Sequence, residues 1–287
     1  MLEAQGPNAQ QISYWNEVSG PKWVRLDETI NKLIAPLGSQ ALGRAAAQPG
    51  ERVLDIGCGG GRTTLDLASS VGSQGEVVGL DISTPLLDAA EARRARLNVS
   101  NVEFINADAQ IHKFSGASFD LIFSRFGVMF FAEPEEAFRN LHAALRPGGR
   151  VAFACWQKME LNPWMTLAVA AVAQHVELPA PSPPGTPGPF SLADSERTVG
   201  ILERAGFVDV RCEPFEAQVD IAVGTTLDET IGFVSQMGPA GALLKDASPE
   251  LRQAAEQSIR EALFPHEKDG RIELGAAIWI VEADVRP

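Results

Sequence analysis

The sequence is poor in cysteine and in positive charge, and each shortage excludes a class of protein. Its three cysteines, Cys58, Cys155 and Cys212, lie far apart and form no CxxC pair, which argues against a disulfide framework and the common cysteine zinc sites. We therefore expect no metal centre. Lysine and arginine total 24 against 37 aspartates and glutamates, a formal net charge of −13. Because such a protein repels phosphate backbones, we expect no nucleic-acid partner.

Long apolar runs are also missing. The longest, residues 164–173, is too short to span a bilayer, and residues 1–6 carry neither the basic start nor the apolar stretch of a signal peptide. These absences predict a cytoplasmic protein without a membrane span. A chain of 287 residues can bury one sizeable core and carry an insertion. Monomer and homodimer both remain open.

What the sequence does contain is a regular alternation of short apolar strands and helices. Strands are predicted at 52–56, 76–80, 102–106, 119–124, 150–156, 208–221 and 272–281. Helices are predicted between the early strands at 62–70, 86–97 and 134–145, and later in the chain at 163–176, 227–244 and 249–264. Thr84 and Pro85 predict an N-cap followed by proline at the first helical position. Such alternation indicates parallel βαβ units. The predicted fold class is α/β, a doubly wound, Rossmann-like, mostly parallel seven-stranded sheet.

A glycine-rich loop between the first strand and its helix predicts a ligand site. In Asp55–Gly61 the glycines allow close backbone approach, and the following helix offers unpaired N–H groups. Asp81 ends the next strand, about twenty residues after the loop, where a carboxylate can receive both hydroxyls of a ribose. A nucleoside ligand is therefore expected. A dinucleotide loop would require glycine or alanine at position 62, and Arg62 stands there.

Five segments in order resemble the motifs of class I S-adenosylmethionine (SAM)-dependent methyltransferases. They are Val53–Gly61, Leu80–Ser83, Asn106–Ala109, Phe119–Ile122 and Leu145–Gly149. All five lie within residues 50–156, about a third of the chain. The nearest subgroup is the small-molecule type similar to the ubiquinone and menaquinone biosynthesis methyltransferases. Residues 8–23 resemble, more loosely, the N-terminal helix that covers SAM in such enzymes.

The resemblance implies roles for individual residues around SAM. The loop backbone at Gly57, Cys58 and Gly59 would line the methionine part, and Asp55 would support the loop and the amino group. Ser124, at the end of the fourth strand, would lie near the reactive methyl.

The adenosine part of SAM has its own set of implied residues. Asp81 would take the ribose hydroxyls, and Ile82 would lie against one face of adenine. Asp108 would accept from the adenine amino group, with Ala109 beside it. Aromatic residues of the N-terminal helices, Tyr14 and Trp23, would seal the cofactor.

The order of the predicted elements, together with the resemblance, predicts three segments. Residues 1–48 would be helical and cover the cofactor, 49–156 would form the SAM-binding core, and 157–287 would complete the sheet with a helical cap inserted between the late strands. Residues 178–190, rich in proline, would be a linker or lid hinge.

The implied reaction is methyl transfer by in-line displacement to a small, hydrophobic or aromatic acceptor at carbon, oxygen or nitrogen. No catalytic side chain is assigned, because positioning alone supplies much of the acceleration. An NAD-type oxidoreductase and a non-catalytic SAM-binding protein remain alternatives.

Overall fold

The computed structural model describes residues 2–180 and 182–287 and is built around one twisted sheet. The strands are β1 (Arg52–Ile56), β2 (Glu76–Asp81), β3 (Val102–Asn106), β4 (Phe119–Arg125), β5 (Leu145–Trp156), β6 (Val208–Asp220), β7 (Glu267–Lys268) and β8 (Arg271–Asp284). Seven of them run in the order β3-β2-β1-β4-β5-β8-β6, and the two-residue β7 pairs with β8. The first five pair in parallel, whereas β8 is antiparallel to β5 and β6. The predicted mostly parallel seven-stranded sheet is confirmed.

Helices cover the sheet, which explains the uniformly apolar strands. They are α1 (Ala9–Glu17), α2 (Ser19–Arg25), α3 (Asp27–Ala45), α4 (Arg62–Val71), α5 (Thr84–Leu97), α6 (Pro134–Ala144), α7 (Pro163–Val172), α8 (Ser195–Ala205), α9 (Leu227–Val234), α10 (Gly238–Leu243) and α11 (Pro249–Leu263). Every residue of β4 from Phe119 to Ser124 is buried, so this central strand is covered on both faces. Within residues 2–180 and 182–287, no helix is long and apolar enough to cross a membrane.

Three helix predictions differ from the structure in their bounds or continuity. The N-cap of α5 is Ser83, not Thr84, and its hydroxyl donates to the carbonyl of Trp15 at 2.8 Å. The helix predicted over 227–244 is two helices, because Pro239 has no N–H to continue the ladder and α10 restarts at Gly238. The helix predicted over 163–176 ends at Val172.

The N-terminal helices lie over the carboxyl ends of the first strands. The side chain of Asn16 in α1 donates to the carbonyl of Ile82 at 2.9 Å. Asn8, which precedes α1, donates to a carboxylate oxygen of Asp108 at 2.8 Å. These contacts hold Asn8 and α1 against the ends of β2 and β3. The three predicted segments, 1–48, 49–156 and 157–287, stay predictions.

Three helices between β6 and β8 form the cap predicted between the late strands. In chain order, α9, α10 and α11 follow β6 and precede the β7–β8 hairpin. Helix α9 contacts both α10 and α11, and these two helices contact α7. The three helices and α7 therefore form one helical layer. The stretch 178–190 has no regular structure in its described residues, and Pro181 lies outside them.

The turns after β1 and β4 meet through two glycines. A side-chain carbon at Gly127 would lie 2.6 Å from the carbonyl oxygen of Ile56 and 2.8 Å from Cα of Gly57. These neighbours are backbone atoms, which cannot rotate away. The close approach of the two strand ends therefore requires glycine at 127.

We expect Gly127→Ala to destabilise the fold by about 1–3 kcal/mol, because the added methyl forces the two turns apart. Gly43→Ala is the matched control: Gly43 is an exposed residue of α3 whose added carbon would meet nothing within 4 Å. That change should be neutral or stabilise by up to about 1 kcal/mol through helix propensity. The measurement is chemical denaturation of both variants. Equal stabilities would contradict the predicted clash.

Candidate cofactor site

Strand register brings the predicted loop and both predicted acids to one edge of the sheet. Ile56 of β1 is paired with Leu80 of β2, and Asp81 is paired with Asn106 of β3. The residues that follow these strand ends therefore lie side by side. The backbone N–H of Gly59 donates to Oδ2 of Asp81 at 2.8 Å, which joins the first loop directly to the second strand.

The glycine loop uses left-handed backbone at three positions. Gly57, Gly59 and Gly61 have φ values of 64°, 53° and 76°, a region that side chains disfavour. A side-chain carbon added at Gly59 would meet nothing within 4 Å, so open space lies above this residue. At Gly61 it would press against the ring of Phe104 at 2.8 Å. Gly59 thus borders space that a ligand could occupy, whereas the absence of a side chain at Gly61 lets Phe104 pack against the loop.

Cys58 lies between these glycines as a buried side chain, 6% exposed. Burial raises the pKa of its thiol well above the ordinary value, and the nearby carboxylates of Asp81 and Asp55 act in the same direction. The thiol therefore stays protonated and is a poor nucleophile. Its Sγ packs against β2 at Gly79, where an added side-chain carbon would lie 3.1 Å away.

Asp55 anchors the loop to the helix that follows. Its Oδ2 accepts from the hydroxyls of Thr63 and Thr64 at 2.9 and 2.7 Å, while the buried Oδ1 has no partner among the described residues. Burial raises the pKa of this carboxyl to about 6, an effect that the two hydroxyls partly offset. One oxygen is thus held in place and the other is left for a donor.

Asp81 joins the turn after β1 to the start of α5. Its Oδ2 accepts from Gly59 N–H and its Oδ1 accepts from Ser83 N–H, both at 2.8 Å. Burial raises its pKa, and these backbone donors oppose the rise. Each oxygen has a second lone pair, so the oriented carboxylate can still accept hydroxyl groups. Ile82 follows it directly, and its carbonyl is already engaged by Asn16.

Asp108 presents one engaged and one unpartnered oxygen. Oδ1 accepts from Asn8 Nδ2 at 2.8 Å and from the backbone N–H of Gln110 at 2.9 Å. Oδ2 is buried without a partner among the described residues. Ala109 beside it is buried, and its carbonyl accepts from Asn140. A cleft of about 650 Å³ borders Asp108; its other lining residues are Leu2, Glu3, Gln5, Gly6, Ile12, Asn106 and Ile111.

Ser124 lies at the end of β4 as predicted, but its hydroxyl is occupied by the scaffold. It donates to the carbonyl of Ile56 at 2.7 Å and accepts from Gly127 N–H at 3.2 Å. The hydroxyl therefore helps to hold the turns after β1 and β4 together. A direct role toward a ligand stays a prediction for this residue.

The aromatic cover is centred on a residue that sequence reasoning missed. The ring of Trp15 makes edge contacts with Trp23 at 5.6 Å and with Phe130 at 5.2 Å between centroids. Tyr14, one of the two aromatics predicted to seal the site, is 45% exposed and touches the edge of Trp15. Adjacent residues on a helix point in different directions, so helical spacing alone could not decide which one faces inward.

Two asparagines near the N-terminus were also missed. Asn8 is 4% exposed; it donates to Asp108 and accepts from the backbone N–H of Ala132 at 2.7 Å. Asn16 bridges the carbonyl of Ile82 and the backbone N–H of Thr84. Their partners lie far away in the chain, so no local sequence pattern signals these contacts.

Three of the four histidines have side-chain contacts with residues outside the glycine loop. His142 packs its edge on Phe207, and His112 packs on Phe114. His175 lies 2.8 Å from the hydroxyl of Ser258 in α11. In the described part of the chain, no group of three or more histidine, cysteine or acidic side chains could hold a metal ion.

Comparison with known proteins supports a common origin of this core. Residues 47–205 match the family described as "Methyltransferase domain". Aklanonic acid methyltransferase DauC of Streptomyces sp. is 34% identical over 42% of this chain and 56% of that protein. A ubiquinone/menaquinone biosynthesis C-methyltransferase of Ectopseudomonas mendocina is 39% identical over 37% of this chain and 42% of that protein. The chain thus spans about half the length of these relatives.

Two further similarities cover most of the chain. Nocamycin O-methyltransferase of Saccharothrix syringae is 26% identical over 91% of this chain and 95% of that protein. The solved structure of a Haemonchus contortus phosphoethanolamine N-methyltransferase, in complex with S-adenosylhomocysteine, covers 88% of this chain and 52% of that one. It has a TM-score of 0.52 and 22% identity, a likeness that concerns the fold alone.

The raised pKa of Asp55 predicts a pH-dependent contribution to stability. With a folded pKa of about 6 against an ordinary 3.8, the native state binds more protons than the unfolded state between these values. Asp55 therefore becomes less favourable to stability as pH rises from about 4 to about 6, by at most about 3 kcal/mol.

The measurement is the free energy of unfolding of the unchanged protein and of Asp55→Asn across pH 4–7. Asparagine keeps an acceptor for Thr63 and Thr64 but does not titrate. The unchanged protein should lose stability relative to the variant as pH rises through this window, and the difference should level off above it. A difference that is constant with pH would contradict the raised pKa.

Proposed function

Because this chain belongs to the methyltransferase-domain family, with residues 47–205 matching, we propose that it transfers the methyl group of SAM to a small, hydrophobic or aromatic acceptor. The observation that carries the proposal is the convergence of the 57–61 loop, Asp81 and Asp108 at adjacent strand ends. The near full-length similarity to a protein named nocamycin O-methyltransferase supports a small acceptor. The family match favours this function over the NAD-type alternative.

The groups at this edge fit SAM in number and kind. The unpartnered Oδ2 of Asp108 is an acceptor for the adenine amino group, and the oriented carboxylate of Asp81 is an acceptor for ribose hydroxyls. The unpartnered Oδ1 of Asp55 is an acceptor for an ammonium group. Gly59 leaves space for the backbone to approach the ligand. Cys58 and Gly57 would line it, with Ile82 and Ala109 beside the adenine.

When bound, SAM supplies a methyl group already activated by its sulfonium. The protein's own task is therefore to hold the acceptor in line and to exclude water. The cover formed by α1 and α2 serves the second purpose, because Trp15, Trp23 and Phe130 form a continuous aromatic contact. An acceptor hydroxyl loses a proton in this step; an acidic enol, phenol or carboxylic acid can release it to solvent before the site closes, so no side-chain base is assigned.

The acceptor would approach from the cap side of β4, where aromatic rings are concentrated. Phe126 stacks on Trp156 with centroids 4.3 Å apart, and Trp156 contacts Trp164 at 5.4 Å. Phe126 has a φ of 63°, a strained conformation for a bulky side chain that is common at ligand sites. Trp164 has a buried indole N–H without a partner among the described residues. This lining favours a flat, apolar acceptor that carries an oxygen.

Entry of an acceptor would require the cap to move. The cavity beside Trp164 between α7 and the α9–α10 segment holds about 10 Å³, room for about one water molecule. We propose that the irregular 178–190 stretch allows this movement.

The test of function is a titration followed by an assay. SAM and S-adenosylhomocysteine should each raise the unfolding temperature, by RT ln(1 + [L]/Kd) in free energy, whereas NAD should not. Addition of small phenols, enols and aromatic carboxylic acids should then release S-adenosylhomocysteine from SAM. Stabilisation by NAD alone would refute the proposed function, and binding of SAM without turnover of any acceptor would favour a non-catalytic SAM-binding protein.

Asp81→Ala should weaken SAM binding about 100-fold, because two hydrogen bonds to a charged acceptor are lost. Asp88→Ala, on an outward position of the neighbouring α5, is the control and should bind normally. Calorimetric titration of both variants checks this, with circular dichroism to confirm the fold. Unchanged affinity in Asp81→Ala would remove Asp81 from the site.

A further inference from the structure

Arg125 lies beside the glycine loop at the end of β4. Strands β1 and β4 are parallel neighbours, and Asp55 is paired with Phe123. Arg125, two residues further on, is therefore level with Gly57. Gly127 touches Gly57 directly, so the backbone around Arg125 and the loop form one surface. The sequence motifs assign no role to this residue.

The guanidinium of Arg125 is held in place from one side only. Its Nη2 donates to Oδ1 of Asn31 in α3 at 2.7 Å. Its stem passes Gly38 of the same helix, where an added side-chain carbon would lie 2.9 Å from Cδ. Gly38 thus leaves the space that Arg125 occupies. These contacts fix the stem and use only part of the five N–H donors of an arginine.

No carboxylate balances this cation at short range. Among residues 2–180 and 182–287, no acidic oxygen lies within 4.0 Å of the Arg125 guanidinium, and Asp55 and Asp66 act on it only over longer distances. Burial accordingly lowers its pKa. The two other arginines at the loop differ: Arg62 and Arg93 both pair with Asp27, at 2.6 and 2.7 Å.

The surroundings of Arg125 suit an amino-acid group. Helix α4 begins at Arg62 without a side-chain cap, so the first-turn N–H groups favour a negative charge nearby. The carboxylate of Asp55 interacts electrostatically with Arg125. Its Oδ1 has no hydrogen-bond partner among the described residues. A cation and an anion, each incompletely paired, therefore interact beside the start of the loop. This is the complement of a carboxylate and an ammonium carried by one carbon.

We propose that Arg125 binds the α-carboxylate of the methionyl group of SAM, with Gly38 and Asn31 shaping the position of its side chain. The inference rests on the proposed function, since it concerns the same ligand. A guanidinium can engage a carboxylate through two parallel N–H donors, which orients the ligand as well as binding it. Arg125 would thereby fix the direction in which the methyl group points.

The experiment compares two ligands that differ in the amino-acid group. S-adenosylhomocysteine carries the carboxylate, and 5′-methylthioadenosine has the same adenosyl part without it. Calorimetry is performed with the unchanged protein, Arg125→Gln and Arg125→Lys. Arg125→Gln should bind S-adenosylhomocysteine about 10- to 100-fold more weakly and 5′-methylthioadenosine with unchanged affinity, and Arg125→Lys should lie between.

Two controls separate this role from a structural one. Asp81→Ala should weaken both ligands, because both contain the ribose. In the unchanged protein, the carboxamide of S-adenosylhomocysteine should bind more weakly than the acid, which tests the contact even where an Arg125 variant does not fold. Equal binding of acid and carboxamide, or equal weakening of both ligands in Arg125→Gln, would overturn the proposal. Failure of the unchanged protein to bind either ligand would instead overturn the proposed function.

Discussion

The site depends on one buried carboxylate that ties three pieces of chain together. Asp81 ends β2 and accepts backbone N–H groups from Gly59 in the neighbouring loop and from Ser83 at the start of α5. A buried acid is tolerated because those donors stabilise its charged form. The hydrogen bond from Gly59 fixes the loop backbone at the residue that borders open space. The conformation of the loop and the orientation of the acid therefore cannot be separated.

Much of this edge could be predicted from the sequence because it is local. Apolar runs and the glycines of 57–61 mark the strands and the turn, and parallel pairing then brings Asp81 and Asp108 to one edge. What could not be predicted is long-range. Trp15 rather than Tyr14 lies at the centre of the aromatic cover. The face that a short helix buries depends on the part of the fold against which the helix packs.

The polar contacts of the cover follow the same rule. Asn8 reaches Asp108 across a hundred residues of chain, and Ser83 donates to the carbonyl of Trp15 instead of capping its own helix. Local propensity assigns such residues to caps and turns. Here tertiary contacts take precedence, because a buried hydroxyl or amide must find a partner wherever the fold offers one. Sequence patterns therefore located the strand ends but not the distant residues that hydrogen-bond to them.

The groups left incompletely paired reveal how stability and ligand binding are connected. Buried carboxylate oxygens on Asp55 and Asp108 have no partner among the described residues, and each is costly in the interior. Asp55 lies near the end of β1 and Asp108 just beyond the end of β3, at the edge of the sheet where the open space above Gly59 lies. A fold optimised only for its own stability would pair or remove them. Under the proposed function, a ligand with an amino group at each end would supply the missing donors, and binding would then recover stabilisation that folding alone leaves unrealised.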